Sequence, residues 1–454
     1  MPKAFWDGCK MKSINLLRKK KSWKNWAATA SSAFEALYTP KSTAELQDIV
    51  KKAARQHKRV RVIGASHSFS PVAMPEHIVL SLHHMRGLEK VDPTTNEAVI
   101  LGGTYLHEIG PLLKEHGYAL ENMGDIQEQT IAGAVSTGTH GTGITFGSLS
   151  NQVAAWEWID GNGNLHYHRR TGKNDDLANA LHVSMGLLGI LVRLTIKVVP
   201  LYSLKVTTFR TTIADTMSSW KIDMQTNRHL EWFYFPGTDI VQIKQMEKVA
   251  PIAQRKGEKI NASFSKICIE NHIFYLLSEW CRRNPKRSQL VSNISAKTIP
   301  NRIETGFSYE MFASPRKVKF YEIEYAIPIK QFLPCIEMIA SHLQKQPFSV
   351  HFPIECRFVK GEDGFLSPNY QQDSAFLAFH MYKGMEYLSY FAWVEELMSD
   401  FQGRPHWGKM NTFNYQQAKQ WYPMWEVFLT TRQQFDPNGI FLNTYFEKLL
   451  SSSS

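Results

Sequence analysis

The stretch from Val62 to Pro71 reads VIGASHSFSP, and the rest of the chain can be interpreted outward from it. It predicts the end of a buried strand followed by a tight loop, with one histidine, His67, at the centre of the loop. The residues around this histidine are small: Gly64, Ala65, Ser66 and Ser68. Backbone N–H groups in such a loop can approach a large anionic ligand, and the imidazole is a nucleophile. Taken alone, the loop is better explained as a strand-to-turn junction with an incidental histidine.

Length and charge limit the class of the protein. With 454 residues the chain exceeds what one hydrophobic core usually supports, so we expect two or more domains. The formal net charge of +11 would suit nucleic acid, an anionic membrane or an anionic ligand. The basic residues are mostly scattered, apart from a run at Arg18 to Lys21 and a looser group at Arg282 to Arg287, and no nucleic-acid-binding motif is present. We therefore expect no nucleic acid partner, and we interpret the first run as a solvated face or a surface-binding tail.

Cysteine usage and hydropathy indicate the compartment. The five cysteines are widely spaced and form no C-x-x-C pair, which favours a reducing compartment and argues against a disulfide framework or a metal site. No apolar run approaches the roughly 20 residues of a transmembrane helix, and the N-terminus lacks the apolar segment of a secretory signal. We expect a cytoplasmic protein, and peripheral membrane contact through the basic tail stays open.

A second stretch of small residues, GDIQEQTIAGAVSTGTHGTGITFG, runs from Gly124 to Gly147. A flexible linker of this composition would lack internal apolar residues. This stretch keeps five of them: Ile126, Ile131, Val135, Ile144 and Phe146. It contains neither the G-K-[ST] that ends a P-loop nor the G-x-G-x-x-G of a Rossmann turn. We interpret it as backbone that wraps a ligand in some other way.

Hydrophobic periodicity predicts the order of strands and helices. Before residue 200 we expect a helix capped by Ser42, a hairpin at 153–169 and an alternating apolar strand from Ile190, which Pro200 ends. We expect the first domain boundary at this proline. Beyond it, strands are predicted at 320–327, 354–359 and 376–382, and helices at 331–344, 387–401 and 415–434. This order predicts an α+β fold.

Several charged side chains are candidates for chemistry. Alternation places Glu355 and Arg357 on one face of a strand, where they can grip hydroxyl groups, although a structural salt bridge is the commoner explanation of such a pair. His380 shares its strand face with apolar residues, as satisfied core histidines do. Lys409 follows a rigid Pro-His-Trp-Gly turn, which is unusual for a solvated lysine. His140 is either a ligand contact or a turn residue.

These groups are the ones that oxidation of a polyol or sugar needs. Charged donors and acceptors orient hydroxyl groups, and one hydroxyl proton must leave while hydride leaves the same carbon. Because none of these side chains can accept hydride, such a reaction requires a cofactor.

Four motifs together carry a resemblance to a known family. They are GASHSFSP at 64–71, TIAGAVSTGTHGTG at 130–143, PIECRF at 353–358, and RPHWGK at 404–409 with DPNGIFLN at 436–443. The chain resembles the flavin-dependent sugar-1,4-lactone and alditol oxidases of the vanillyl-alcohol-oxidase-type superfamily, among them the L-gulono-1,4-lactone and D-arabinono-1,4-lactone oxidases. The similarity runs from Trp23 almost to the C-terminus, apart from residues 245–300.

The resemblance implies FAD as the cofactor. The family's flavin-linked histidine corresponds to His67, so an 8α-N-histidyl bond is expected, although GASHS here replaces the commoner G-x-G-H-S. The other cofactor-binding residues that we predict are Ile63, Gly64, Ala65, Ser66, Ser68, Phe69, Gly124, Thr130, Gly133, Thr137, Gly138, Thr139, His140, Gly141, Gly143, Ile190 and Lys409.

The resemblance also implies the fold. We expect a two-part FAD-binding domain of the vanillyl-alcohol-oxidase (PCMH) type, and a substrate domain whose antiparallel sheet is flanked by helices. The predicted limits are a basic tail at 1–22, the FAD-binding domain at 23–204, the substrate domain at 205–414 and a C-terminal segment at 415–450. The C-terminal segment is expected to return to the FAD-binding domain.

The catalytic residues follow from the same resemblance. Glu355 and Arg357 match the substrate-binding pair, and Lys409 with His380 is expected to assist loss of the hydroxyl proton while hydride passes to flavin N5. Because His380 matches alditol oxidases rather than lactone oxidases in general, the substrate stays open between an aldono-1,4-lactone and a polyol. Gly124 matches a position where glycine accompanies oxidases, so O2 is the expected acceptor and H2O2 the product. The alternatives are a dehydrogenase that reduces a quinone or cytochrome, and a catalytically inactive flavin-binding protein.

Overall fold

The computed structural model describes residues 21–252, 261–298, 300–313 and 318–451, so nearly all of the predicted basic tail lies outside the described residues. The α-helices are Thr43–Arg55, Leu106–Glu115, Ile131–Ser136, Asp176–His182, Ile213–Thr226, Asn261–Arg283, Ser288–Thr298, Ser308–Phe312, Phe332–Lys345, Leu388–Asp400, Tyr415–Trp421, Trp425–Phe435 and Thr444–Leu450. Within the described ranges, no helix has the length and apolar character needed to cross a bilayer.

Two main sheets organise the first half of the chain. A three-stranded parallel sheet contains, in spatial order, Ala36–Tyr38, Ile78–Leu80 and Val60–Val62. A five-stranded antiparallel sheet contains, in spatial order, Leu165–Arg169, Val153–Ile159, Ile190–Lys197, Glu97–Leu101 and Leu88–Asp92. Two short pairs accompany them, Lys21–Lys24 with Ser31–Phe34 and Tyr118–Ala119 with Val199–Pro200. The predicted hairpin and the predicted apolar strand are confirmed.

The core of this half also contains residues from the end of the chain. Leu46 and Val50 lie on the buried face of the first helix, whose N-cap Ser42 accepts a hydrogen bond from a backbone N–H of the first turn. Ile440 and Phe441 pack in the same apolar cluster as these two residues. The C-terminal segment therefore contacts the strands that lead into the loop at residues 64–69.

An eight-stranded antiparallel sheet forms the second half of the chain. Its strands are, in spatial order, Arg302–Phe307, Ser203–Thr212, Ile240–Val249, His229–Tyr234, Ile354–Val359, Ser374–Tyr382, Phe320–Pro328 and Arg404–Pro405. Helices Ile213–Thr226, Phe332–Lys345 and Leu388–Asp400 contribute to the apolar core on one face. With the parallel and antiparallel sheets of the first half, this arrangement confirms the α+β class.

The other face of this sheet gathers charged residues from four adjacent strands. Glu231 lies opposite Arg357, and Glu322 lies opposite His380. Glu324 and Glu355 both lie opposite Ala378, from its two sides. Residues that oppose one another across strands point to the same face of a sheet. The charged face therefore carries Glu231, Glu322, Glu324, Glu355, Arg357 and His380.

One predicted helix is wrong. The segment predicted as a single helix at 415–434 forms two helices, Tyr415–Trp421 and Trp425–Phe435. Pro423 lies between them, and a proline inside a helix loses a backbone donor and clashes with the preceding turn. The proline was visible in the sequence and should have ended the predicted helix.

Candidate active site

The small-residue loop after the strand Val60–Val62 is held by the N-terminal WKNW segment. Trp23 Nε1 donates to Ser66 Oγ at 2.9 Å, and Asn25 Nδ2 donates to Ser68 O at 2.9 Å. The backbone N–H of Trp26 donates to Ser66 O at 2.8 Å. Ser66 has φ 56°, in the left-handed region that β-branched side chains avoid. The loop is thus fixed by three neighbours that the sequence places about forty residues earlier.

His67 sits at the centre of this loop against an aromatic ring. The indole of Trp26 stacks on the imidazole with 5.4 Å between ring centroids and 20° between ring planes. On the other side, the Phe69 N–H donates to Gly408 O at 2.7 Å, which ties the loop to the RPHWGK turn. Burial lowers the pKa of His67 below its ordinary value, so the neutral ring keeps an electron pair on one nitrogen.

A narrow groove begins at His67. It is lined by backbone and by small or apolar side chains from the first half of the chain and from Phe441. Its walls approach closely, since a Cβ on Gly64 would lie 2.5 Å from Thr130 Oγ1. Many of the predicted cofactor-binding residues line this groove: Ile63, Gly64, Ala65, Ser66, His67, Ser68, Thr130, Gly133, Thr137 and Ile190.

A wider cavity of about 430 Å³ meets the groove at this loop. His67, Ser68, Gln129 and Thr137 line both spaces. Further predicted residues that line the cavity are Phe69, Gly124, Thr139, His140, Arg357 and Lys409. The two small-residue stretches and the charged face of the eight-stranded sheet therefore converge at one place.

Three predicted cofactor glycines line neither space. A Cβ on Gly141 would lie 2.3 Å from Met123 O, so this glycine permits close packing of two backbone segments. Gly143 has φ 128° and donates its N–H to Phe358 O at 2.7 Å. Gly138 has φ 70°, which also favours glycine. In this structure, packing and backbone conformation account for these three positions.

Lys409 is the cation at the centre of the cavity. Its Nζ lies 2.6 Å from Glu322 Oε1 and 3.7 Å from Glu324 Oε2. Burial lowers the pKa of Lys409, but the two carboxylates outweigh burial and raise the pKa above its ordinary value. Lys409 therefore carries a positive charge at neutral pH and is a donor, not a base.

Arg357 is the second cation of the cavity, and it is buried. Its Nε donates to Glu231 Oε1 at 2.7 Å, its Nη2 contacts Glu355, and Nη2 lies 3.3 Å from Asp125 Oδ1. Burial lowers the pKa of Arg357, and the surrounding carboxylates raise it well above its usual range. Glu355 does not itself line the cavity and reaches it only through Arg357.

His380 lies behind the cavity wall. It does not line the cavity, and its Nε2 is 3.4 Å from Glu322 Oε1. The order from the cavity outward is thus Lys409, Glu322 and His380. The structure brings Arg357 and Lys409 together in the cavity and leaves Glu355 and His380 one side chain further away.

A third group of side chains in the cavity consists of His140, Glu324 and His406. Their donor atoms all lie within 4.8 Å of one another, a spacing that a metal ion would also accept. Burial lowers the pKa of His406 to about 3, and the Gly408 N–H donates to its Nδ1 at 3.0 Å. Because Nδ1 accepts this hydrogen bond, the neutral ring carries its proton on Nε2. The ammonium of Lys409 already lies beside Glu324, and it would repel a metal ion bound at this carboxylate. We therefore assign this group to hydrogen bonding.

Four of the cavity residues that sequence reasoning missed are Glu322, Glu324, Trp26 and His406. Glu322 and Glu324 lie two positions apart in YEIEY, the same spacing that singled out Glu355 and Arg357. Applied to this strand as well, that rule would have found them. Trp26 and His406 had no comparable signal, because their places depend on how distant loops meet.

A family model for D-arabinono-1,4-lactone oxidase matches residues 194–449, more than half of the chain. The chain belongs to this family. A second family model, for an FAD-binding domain, matches residues 34–167, which contain both small-residue stretches that line the groove. The protein thus combines an FAD-binding domain with the part that defines the D-arabinono-1,4-lactone oxidase family.

Curated relatives match this family member along nearly its whole length. The L-gulono-1,4-lactone dehydrogenase of Mycobacterium tuberculosis is 34% identical over 437 residues, which cover 94% of this chain and 99% of the relative. The L-gulonolactone oxidase of Mus musculus is 29% identical and covers 94% of this chain and 98% of the relative. Among solved structures, cholesterol oxidase from Brevibacterium sterolicum has a TM-score of 0.75 at 15% identity, covering 95% of this chain and 97% of that one, which shows a shared fold.

The residues of the groove fit the FAD that this domain binds. Ser66, Thr130 and Thr137 provide hydroxyls, and glycines and apolar side chains leave room for extended aromatic rings. Arg61 Nε is buried in the groove wall and has no hydrogen-bond partner among the described residues. An acceptor on a bound dinucleotide would satisfy this donor. These residues would hold the cofactor in the groove.

Proposed function

We propose that the protein is an FAD-dependent oxidoreductase that oxidises a CH–OH group of an aldono-1,4-lactone or a polyol, with O2 as acceptor and H2O2 as product. The observation that carries this proposal is the half-buried ammonium of Lys409, which shares a cavity with Arg357 and lies where the cofactor groove ends at His67. The relatives named L-gulono-1,4-lactone dehydrogenase and L-gulonolactone oxidase support a lactone substrate.

Arg357 and Glu355 are proposed to orient the substrate. Glu355 and Glu231 hold two edges of the guanidinium, so its direction is fixed before a substrate enters. The remaining N–H groups of Arg357 can then donate to two neighbouring hydroxyl or carbonyl oxygens of a sugar. Glu355 is in this view a positioning residue.

Lys409 is proposed to act on the reacting hydroxyl. FAD, when bound, supplies the hydride acceptor at its N5 atom. Lys409 Nζ donates to the hydroxyl oxygen and stabilises the negative charge that develops as the proton leaves. Glu322 fixes the direction of the ammonium, and His380 supports Glu322 from behind. The lysine is thus a positioned cation throughout the reaction.

The leaving proton has an acceptor in the pair formed by Glu324 and His140. His140 Nδ1 lies 2.9 Å from Gly141 O, so the neutral ring carries its proton there. The electron pair on Nε2 then faces Glu324 Oε1 at 3.4 Å, where two acceptors meet. Burial raises the pKa of Glu324, but Lys409 and the neighbouring histidines lower it well below its ordinary value. A proton released beside Lys409, whose Nζ is 3.7 Å from Glu324 Oε2, would therefore be taken up at His140 Nε2, and the Glu324 carboxylate would pair with the resulting cation.

The test of the function is a substrate screen on the purified protein. Single aldonolactones and alditols are added without oxygen while the flavin absorbance is followed, and peroxide is then measured after air is admitted. The proposal expects loss of flavin absorbance with members of one substrate class and one peroxide per substrate oxidised. A colourless protein that takes up no added FAD, or flavin that no compound reduces, contradicts it.

A covalent bond between FAD and His67 is part of the proposal. The neutral, buried imidazole and its place between groove and cavity support it. Acid precipitation should leave the yellow colour in the pellet of the native protein and release it from His67→Ala. Colour that leaves the native protein as readily as the variant would show a non-covalent flavin.

A dehydrogenase that reduces a quinone or cytochrome is the second candidate. The mycobacterial relative at 34% identity is named a dehydrogenase, and this name favours it. Rapid reduction of a quinone analogue without peroxide formation would decide for this candidate. We keep a cytoplasmic location in the proposal because Cys281, Cys335 and Cys356 are buried free thiols.

A further inference from the structure

The segment that follows the strand Ile240–Val249 exposes an unusual number of apolar side chains. Fifteen large apolar side chains are exposed in the described part of the chain, and six of them lie within 22 consecutive residues. They are Ile273, Tyr275, Leu276, Trp280, Leu290 and Ile294. All six belong to helices Asn261–Arg283 and Ser288–Thr298. The other nine are spread over the rest of the described chain, as is normal for a soluble surface.

Three of these side chains form a stripe along the first helix. Ile273, Leu276 and Trp280 follow one another at i, i+3 and i+7, so they share one face. Ile273 is 52% and Leu276 is 54% exposed. Such a stripe usually faces a protein core, and here it faces away from one.

The opposite side of the same helix fixes this orientation. Phe274 packs against Phe352 with 4.9 Å between ring centroids. Ser278 Oγ and His351 Nε2 are 2.9 Å apart and buried. Cys281 is fully buried in the core of the large sheet. The helix therefore cannot turn its exposed stripe inward without losing these contacts.

The charged residues of the segment that carries the stripe are mostly basic. Residues 272–298 contain five basic side chains and one acidic one. The single acid, Glu279, is already paired with Arg282 at 2.7 Å and accepts from the Tyr382 hydroxyl at 2.6 Å. Arg287 lies over the Trp280 ring at 4.5 Å, so a basic side chain directly adjoins the apolar stripe. Arg283 and Lys286 are exposed beside it.

We propose that the exposed face of residues 273–294, on helices Asn261–Arg283 and Ser288–Thr298, forms a docking surface for an anionic membrane. Apolar side chains in a helix that lies at the surface, bordered by charge of one sign, match the boundary between acyl chains and phosphate head groups. Ile273, Leu276 and Trp280 enter that boundary, and Arg283 and Lys286 pair with lipid phosphates. The surface does not depend on the reaction proposed for the cavity, and its residues are distant in sequence from the basic tail.

The test is flotation of the full-length flavoprotein with lipid vesicles. Phosphatidylcholine vesicles are compared with vesicles that also contain phosphatidylglycerol, at low and high salt. We expect the protein to float with the anionic vesicles at low salt only, and the variant Ile273→Ser/Leu276→Ser/Trp280→Ser to lose about tenfold in bound fraction. A second variant, Arg283→Ser/Lys286→Ser, should lose several-fold because two charge contacts are removed.

The matched control replaces apolar side chains elsewhere that are more exposed than those of the stripe. Ile222 is 66% and Leu388 is 68% exposed, on helices outside the proposed surface. The variant Ile222→Ser/Leu388→Ser should float like the native protein, and circular dichroism and flavin absorbance should match in all variants. Equal flotation of stripe and control variants, or no flotation with anionic vesicles, overturns the proposal. The proposal is also overturned if the native protein does not float but dimerises with rising concentration, and the stripe variant does not dimerise. The stripe would then be a contact between two copies of the chain.

Discussion

The groove and the cavity meet at His67, but they are built in opposite ways. The groove is lined by backbone, small residues and apolar side chains that come mainly from three continuous stretches of the first half, near residues 60–68, 129–137 and 185–191. The cavity is lined by ionisable side chains that distant segments contribute: Asp125, Glu322, Glu324, Arg357, His406 and Lys409. The groove selects a ligand by its shape, and the cavity selects one by charge and hydrogen bonding.

This difference predicts different responses to substitution. A buried ion pair that loses one partner leaves an uncompensated charge, at a cost of about 3–5 kcal/mol. The cavity should therefore respond strongly to changes of charge. The groove should respond to added side-chain volume, because a Cβ at Gly64 would lie only 2.5 Å from Thr130 Oγ1 in the opposite wall.

The largest effect is expected for Lys409→Met. The substitution removes the cation that we assign to the reacting oxygen, and turnover should fall by about 10²–10³-fold, as when one preorganised donor is removed. The FAD content should stay unchanged, because the groove does not depend on this charge. Steady-state turnover and flavin absorbance of the same preparation measure both quantities.

The control for this variant is Lys419→Met, at an exposed lysine whose ion pair with Glu426 lies on the surface. Its turnover should match that of the native protein. The pH profile distinguishes the two roles that a lysine can have. Because the pKa of Lys409 is raised, the cation persists through neutral pH, and we expect no change of turnover that depends on its deprotonation there. A base would behave differently: turnover would rise between about pH 8 and 10 in the native protein, and this rise would be absent in Lys409→Met.

A smaller effect is expected for Arg357→Lys. The variant keeps the positive charge among Glu231, Glu355 and Asp125 but loses the planar fork that binds two oxygens at once. We expect kcat/KM to fall by about 10–100-fold, mainly through KM, with little change in Tm. The matched control Arg357→Met removes the charge as well, and it should lower Tm by several degrees. Equal KM values for the native protein and Arg357→Lys would contradict a substrate-binding guanidinium.

The contrast between the two regions also explains what the sequence revealed. The stretch from Thr130 to Thr137 is continuous, and its composition indicated backbone that wraps a ligand. The loop around His67 is continuous as well, but it gained this interpretation only beside that stretch and the charged candidates. Arg357 was found because alternation paired it with Glu355, and Lys409 because a rigid turn preceded it. Each signal was local, and each depended on residues a few positions apart.

The remaining residues depend on contacts between distant segments. The alternation rule places Glu322 and Glu324 on one strand face, but the sequence does not show that the first half of the chain covers that face. Likewise, the glycine-rich run does not distinguish Gly133, which lines the groove, from Gly141, which lets two backbones touch. The His406 ring enters the cavity only because its turn pairs with the edge of the large sheet.

The volume sensitivity of the groove is tested by Gly64→Ala. The added Cβ would lie 2.5 Å from Thr130 Oγ1 and 3.2 Å from its Cγ2, so the threonine must move. We expect about tenfold weaker FAD binding, or about 1.4 kcal/mol, measured by flavin titration in the His67→Ala background. The control Gly172→Ala meets no atom within 4 Å and should bind FAD normally.

The smallest effect is expected for Gly124→Ala. This variant tests whether the cavity, which should respond to charge, also responds to added side-chain volume. Gly124 lines the charged cavity. The role expected for it from the family resemblance is nevertheless one of volume, because a glycine would leave O2 access to the flavin. A Cβ there would lie 3.0 Å from His140 O and 3.4 Å from Thr139 Cγ2, which a shift of a few tenths of an ångström relieves. Flavin reduction by substrate and electron transfer to a small dye should therefore change little. The rate with O2 should fall several-fold, about 1 kcal/mol.

The ratio of the O2 rate to the dye rate within one preparation of Gly124→Ala is the decisive quantity. It cancels differences in flavin content and in substrate binding, so only access to the flavin remains. An unchanged ratio would exclude Gly124 as the residue that controls oxygen access, without affecting the roles of Arg357 and Lys409. A ratio that falls together with the dye rate would show that the methyl group disturbs His140 and its pair with Glu324, and the cavity would then be sensitive to volume as well as to charge.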